Sequence, residues 1–335
     1  MTRDESTIMK GVAILLMLFF HLFNRMDFVG MCQTTIHIGG LPLVHILTRA
    51  ANPVSFFIML SGYGLYVSHK KSSYNVWRKI RLLYVHYWLT LLVFVPIGYF
   101  VIGSYRYPGN WLDIIGNAIG WNVSYNGEIW FLLPFIILML CSGWIIKYLD
   151  KLPSWFCISV SFCISFVCGW LIPRNNVLLF HILLLAGTFA LAFTLGVYMS
   201  KYQIVRKFNT VGGGKIGIRE NSKGVLCWIA LILLIVFRCT PWGSFVHQFY
   251  VFAFIVLFMN ASRGKKLDAF LLEMGKRSTS MWFVHSYFCY HLFRNFIYDF
   301  RYPLFLFAVL LICSYVSAIV VDWLNAKVTK ILTRK

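Results

Sequence analysis

The sequence predicts an all-α polytopic membrane bundle of about ten transmembrane helices with both termini cytoplasmic. Three observations carry that expectation. The 335-residue chain is 59% hydrophobic and only 13% charged, whereas soluble domains carry about 25% charged residues. Its apolar residues fall in runs that match the roughly 20 residues needed to cross the hydrocarbon core. Its 31 Lys and Arg, against 11 Asp and Glu, sit in the gaps between those runs. That is the arrangement of basic cytoplasmic loops; a nucleic-acid binder gathers its basic residues on a polar face instead, so nucleic acid is not an expected partner and the lipid bilayer is.

Taken in order, the expected spans lie near residues 8–26, 43–67, 82–103, 127–146, 154–172, 177–199, 224–240, 243–260, 279–297 and 303–324. The first, Gly11 to Phe23, is short enough to imitate a signal-peptide core. It is followed by Asn24-Arg25-Met26, not by a small-residue cleavage site, and so reads as a membrane helix. Charge then tests the count. With the N-terminus inside, 24 of the 31 basic residues occupy cytoplasmic segments, and a span gained or lost in the middle would move basic loops outside. With no fixed-period repeat and no long soluble segment, residues 1–335 read as a single integral membrane domain. Among the connections, Ser104 to Asn126 is the longest on the outer side, and its Tyr, Trp, Asn and Gly suit either an interfacial aromatic belt or contact with carbohydrate or lipid headgroups. Gly212-Gly213-Gly214-Lys215 lacks the Ser or Thr of a phosphate loop, since Ile216 follows, and reads as a turn. The nine cysteines form no C-x-x-C pair, so no metal site or disulfide framework is expected.

Ionisable groups inside a span are costly and usually functional. Lys10 and His21 are eleven residues apart on the first helix, close to three turns, and so share one face. His45, Arg49 and Asn52 recur at i, i+4 and i+7 on the second, which predicts a polar stripe facing an outer cavity before Pro53 interrupts the helix. Ser61 and Gly62 let another backbone or a thin acyl chain come close, and equally suit plain helix packing. Arg78 and Arg81 lie three apart at the cytoplasmic end of the third helix, a spacing suited to a phosphate-bearing ligand or to setting topology. Glu128 opens the fourth helix, where it can cap the N-terminus or pair with Arg49. His285 sits in the ninth, followed by His291 and Arg294.

Together these residues resemble the acyltransferase family 3 of integral membrane enzymes, which O-acylate polysaccharides and other extracytoplasmic acceptors. Lys10-x10-His21 is similar to the family's Arg/Lys-x10-His motif, with Gly11 following the basic residue. Phe56-Phe57-Ile58-Met59-Leu60-Ser61-Gly62-Tyr63 is similar to its Phe-Phe-x-x-Ser-Gly-Phe/Tyr stretch, with one extra residue, and Arg78-Lys79-Ile80-Arg81 matches its Arg-x-x-Arg motif. Trp130-Phe131-Leu132 and Phe283-Val284-His285 resemble two further signatures. Thr7 stands where many members have Asp, and Lys10 keeps the charge of the commoner Arg without its fork.

The resemblance implies a multi-pass enzyme of a bacterial inner or plasma membrane, with cytoplasmic acyl-CoA, most simply acetyl-CoA, as co-substrate and no permanently bound cofactor. It implies an extracytoplasmic polysaccharide or lipid-linked glycan as acceptor. Arg78 and Arg81 would hold the CoA phosphates, with the pantetheine arm passing Lys10, Ser61 and Gly62. His21 would act as general base or as acyl carrier, with Lys10 beside it in the catalytic motif. Arg49, Asn52, Glu128, Trp130 and His285 would support the acceptor. A transporter or flippase for a glycan or lipid-linked glycan would use the same polar helices without acyl-CoA.

Overall fold

The computed structural model describes residues 1–71, 74–174, 177–214 and 220–333. Helices dominate it, and the described strands, β1 (His37–Ile38) and β2 (Leu41–Pro42), form a two-residue antiparallel hairpin between the first two spans. The first helix, α1 (Arg3–Phe23), starts in a reciprocal cap: Thr2 N donates to Glu5 Oε2 at 2.6 Å and Glu5 N to Thr2 Oγ1 at 3.2 Å, satisfying two orphan amides. The second span is broken into α2 (Leu43–Thr48) and α3 (Pro53–Lys70). Pro53 disfavours helix for the residue before it, and Asn52 adopts a left-handed φ of 34°. The third, α4 (Val76–Val101), is capped by Asn75, whose side chain accepts from Arg78 N at 2.8 Å.

The outer connection folds into the short helix α5 (Trp111–Ile119), which opens with a capping box between Asn110 and Asp113 and closes on Gly120 at φ 79°. Its exposed Trp111, Leu112, Ile114 and Ile115 suit a helix lying in the membrane interface. A 3₁₀ turn, Gly127–Phe131, leads into α6 (Leu132–Lys151), followed by α7 (Ser154–Leu171), α8 (Leu178–Thr188) and α9 (Ala190–Lys201). The expected turn at Gly212 to Gly214 forms the end of α10 (Ile204–Gly214); Lys215 and Ile216 lie outside the described residues. Then come α11 (Glu220–Cys239), α12 (His247–Asn260), α13 (Lys265–Lys276), α14 (Ser278–Ser286), α15 (Arg294–Tyr298) and α16 (Pro303–Thr333).

Eight of these spans, counting α2–α3 and α8–α9 as one each, are long and apolar enough to cross a membrane, and the chain is a multi-pass helical membrane protein. The two other expected spans differ for a physical reason. At fourteen residues, α12 is short of the roughly 20 that span the core upright. The expected helix over 279–297 is α14, then a π-helical turn at Tyr287–His291, then α15. Irregular backbone at that depth is tolerated where it faces protein or a polar cavity.

The chain divides into two compact units. In the first (Met1–Ala13, Arg49–Tyr74, Ile137–Gly275), glycines let helix backbones touch. A Cβ on Gly62 would come within 2.5 Å of the Phe193 carbonyl oxygen and one on Gly196 within 2.0 Å of the Met59 carbonyl oxygen, a reciprocal small-residue seam between α3 and α9. Gly11 and Gly275 do the same for α1 and α13. Asp150 ties this unit's helix ends together through Lys70 at 2.8 Å and Lys201 at 3.4 Å. In the second unit (Ile14–Thr48, Asn75–Ile136, Lys276–Lys335), Phe94 stacks on Tyr287 with ring centroids 4.3 Å apart. A polar lock joins α4, α14 and α16: His86 Nε2 meets Ser280 Oγ at 2.7 Å, Ser280 donates to Asp322, and Arg277 pairs with Asp322 at 2.9 Å.

Candidate functional site

His21 lies in the last turn of α1, its side chain 11% exposed, with Nε2 3.3 Å from Glu128 Oε2 and Nδ1 3.2 Å from the Tyr290 hydroxyl. An ionised carboxylate only accepts, so Glu128 beside Nε2 favours the tautomer protonated there, in which Nδ1 presents its lone pair to the Tyr290 hydroxyl. The His285 ring stands 4.9 Å away, centroid to centroid. Its Nδ1 faces the carbonyl oxygens of Trp282 at 2.8 Å and Met281 at 3.1 Å, which makes Nδ1 the donor. His285 Nε2 is therefore a buried lone pair, without a hydrogen-bond partner among the described residues.

Asn126 fixes the geometry of this cluster. Its Nδ2 donates to the Phe283 carbonyl at 2.8 Å, and its Oδ1 accepts from the Ser286 hydroxyl and from Glu128 N. One amide thus caps the Gly127–Phe131 turn and clamps it to α14, holding Glu128 against His21. The capping role open to Glu128 belongs to Asn126, and the carboxylate is turned to the imidazole. Trp130 is half-buried in the same turn, its ring edge-on to that of Phe131 with centroids 5.8 Å apart. On the outer side, Arg106 donates to the Ser124 carbonyl at 2.8 Å and lies 3.0 Å from His291 Nδ1, while Gly127 N donates to His291 Nε2 at 3.2 Å. Burial pushes the Tyr125 phenol in the adjoining loop up to about 12, so it stays protonated and donates to the Pro108 carbonyl.

Arg78 and Arg81 are exposed on the first turns of α4, beside its Asn75 cap. Neither guanidinium has a partner among the described residues, and a capped helix N-terminus adds its own attraction for anions. Of the remaining expected residues, Lys10, Arg49, Asn52, Ser61 and Gly62 belong to the first unit and His45 to the second. Lys10 is half-buried on α1, and Thr7 donates back to the Arg3 carbonyl at 2.9 Å. Ser61 is half-buried on α3, and of the two uses open to Gly62 the close helix contact is the one occupied, by the Phe193 backbone of α9. The polar stripe expected along the second span is broken, because α2 ends at Thr48. His45 takes the Phe23 carbonyl at 2.9 Å, Arg49 donates to the Cys239 carbonyl at 3.0 Å, and Asn52 Nδ2 reaches the His247 carbonyl at 3.5 Å.

Sequence reasoning missed Tyr290 and the clamping role of Asn126. At 100° per residue His285 and Tyr290 diverge on a helix; the π-helical turn, with its i to i+5 spacing, brings Tyr290 to the His21 side. Such an arrangement is chemically able to act as a base: an imidazole with a carboxylate beside one nitrogen and a lone pair available on the other in a largely buried site.

The acyltransferase domain family model Acyl_transf_3 matches residues 4–323. The chain belongs to that acyltransferase family. Every candidate residue of this acyltransferase, from Lys10 to His285, falls within the matched stretch. No curated protein and no solved structure matches the chain.

Proposed function

We propose that this membrane acyltransferase moves an acyl group, most simply acetyl, from cytoplasmic acyl-CoA to a hydroxyl of an extracytoplasmic glycan or lipid-linked glycan, in the cytoplasmic membrane of a bacterium. The observation that carries the reading is His21 held between Glu128 and Tyr290, in a chain of acyltransferase descent. The carboxylate favours general-base catalysis over the acyl-carrier route, because it orients the ring and stabilises the imidazolium that a base becomes.

In the proposed reaction the acceptor hydroxyl takes the place of the Tyr290 hydroxyl at His21 Nδ1. As Nδ1 removes its proton, the oxygen attacks the thioester carbonyl; the new C–O bond forms and the C–S bond breaks. The imidazolium then returns the proton to the departing thiolate, giving the ester and free CoA. Arg78 and Arg81 hold the CoA phosphates as guanidinium forks. Trp130 offers an aromatic face to a sugar, and the free Nε2 of His285 accepts a hydrogen bond from it.

The test is thiol release by purified protein given acetyl-CoA, with and without an added glycan. An acyltransferase releases CoA and labels the glycan when the matching acceptor is supplied. A glycan carrier or flippase moves the glycan with acetyl-CoA absent, and protein that carries glycan without binding acetyl-CoA contradicts the proposal.

A further inference from the structure

The first unit carries a polar site that acyl transfer at His21 does not use. Residues Arg49 to Asn52 of this unit are the non-helical break in the span Leu43–Lys70, and broken membrane helices recur where ions and anionic groups bind. The break is firmly pinned. Tyr250 donates to the Ala50 carbonyl at 2.9 Å, Asn52 reaches the His247 carbonyl, and Arg49 Nη1 donates to the Cys239 carbonyl at the end of α11. These bonds set Arg49 beside the last turn of α11, where Arg238 precedes Cys239.

Arg238 is the anomaly. Its Nε and Nη1 are buried without a hydrogen-bond partner among the described residues, and its cation faces the Tyr250 ring at 6.0 Å. No carboxylate among the described residues pairs with Arg49 or Arg238, so two like charges share one helix end. Plain helix capping accounts for one nitrogen of Arg49, and the aromatic contact for part of the Arg238 charge. Neither accounts for two buried donors. Both arginines fall at the outer ends of their spans in the charge-derived orientation, where the positive-inside rule disfavours them. The seven basic residues left outside the cytoplasmic segments are all arginine, whereas every lysine is inside. Retention of arginine alone points to the planar fork rather than the charge.

We propose that Arg49 and Arg238 form a binding site for a phosphate-class oxyanion at the outer end of α11. A tetrahedral oxyanion has enough acceptor oxygens to serve two forks at once, which a single carboxylate has not. The phosphate can belong to a soluble or lipid-linked ligand, or to a bilayer headgroup.

The experiment reads binding and not turnover, so it stands whether or not His21 is the base. Delipidated full-length protein in a maltoside detergent is titrated with inorganic pyrophosphate by calorimetry and, separately, with phosphatidylglycerol by native mass spectrometry. The wild type binds at least one probe, and Arg49→Gln with Arg238→Gln weakens that binding at least tenfold at an unchanged unfolding temperature. Arg238→Lys, which keeps the charge and loses the fork, gives an intermediate loss and serves alone if the double variant misfolds. Loss of pyrophosphate binding identifies a free phosphate group as ligand, and loss confined to phosphatidylglycerol identifies a headgroup. Binding of both probes unchanged in the variants, or no binding of either by the wild type, overturns the proposal.

Discussion

Glu128→Gln isolates the role of the carboxylate against His21 Nε2. At 3.3 Å the carboxylate makes Nε2 the protonated nitrogen and leaves Nδ1 free to take a proton. A glutamine amide of the same length directs an N–H at Nε2, which becomes the acceptor and moves the proton to Nδ1. The nitrogen facing the acceptor then has no lone pair. General-base assistance is worth about 10²–10⁴ in rate, which at 1.36 kcal/mol per tenfold is about 3–5 kcal/mol of barrier. The expected result is a fall in kcat of that size with donor affinity unchanged, since Glu128 and the Arg78–Arg81 pair serve different parts of the reaction. Thiol release followed in purified protein with acetyl-CoA and the matching glycan measures kcat, and calorimetric titration with CoA measures donor affinity. Wild-type kcat in a folded Glu128→Gln variant would refute the assignment of the carboxylate to the base.

Three further outcomes follow from the same geometry. Replacing both Arg78 and Arg81 by Ala raises the acyl-CoA KM by at least about a hundredfold, at about 1.5–3 kcal/mol for each of two charge-assisted bonds and 1.36 kcal/mol per tenfold, and an unchanged donor affinity counts against phosphate binding there. Tyr290→Phe leaves kcat within about tenfold, because the phenol occupies Nδ1 only until the acceptor arrives; a loss as large as that of Glu128→Gln would make Tyr290 a participant. Gly62→Ala drives a methyl into the Phe193 carbonyl 2.5 Å away and, at the usual cost of overpacking of about 1–3 kcal/mol, lowers the unfolding temperature in detergent. An unfolding temperature equal to the wild type would show that the α3–α9 seam yields freely.

Length and charge made the fold legible, because a membrane helix must be long and apolar and its inner loops basic. They failed where the backbone departs from regular helix. The polar face expected from His45, Arg49 and Asn52 assumed 3.6 residues per turn, and Asn52 and Pro53 break that period. The ninth span was expected to be continuous, yet its π-helical turn is what carries Tyr290 to His21. At the site, His21, Glu128 and His285 were readable because polar side chains among apolar ones are conspicuous, and Trp130 because its stretch resembles a family signature. Their mutual arrangement was not, since it rests on Asn126, an ordinary loop letter whose side chain makes contacts to residues 157 and 160 positions away.

The central claim is that the imidazole of His21 performs the proton transfer of acyl transfer. The most direct measurement is glycan labelling from radioactive acetyl-CoA by purified His21→Ala beside the wild type, with insertion and unfolding temperature matched and CoA affinity measured on both. The account predicts that His21→Ala binds CoA as the wild type does and transfers no measurable label. Transfer by His21→Ala at a rate near that of the wild type would contradict it.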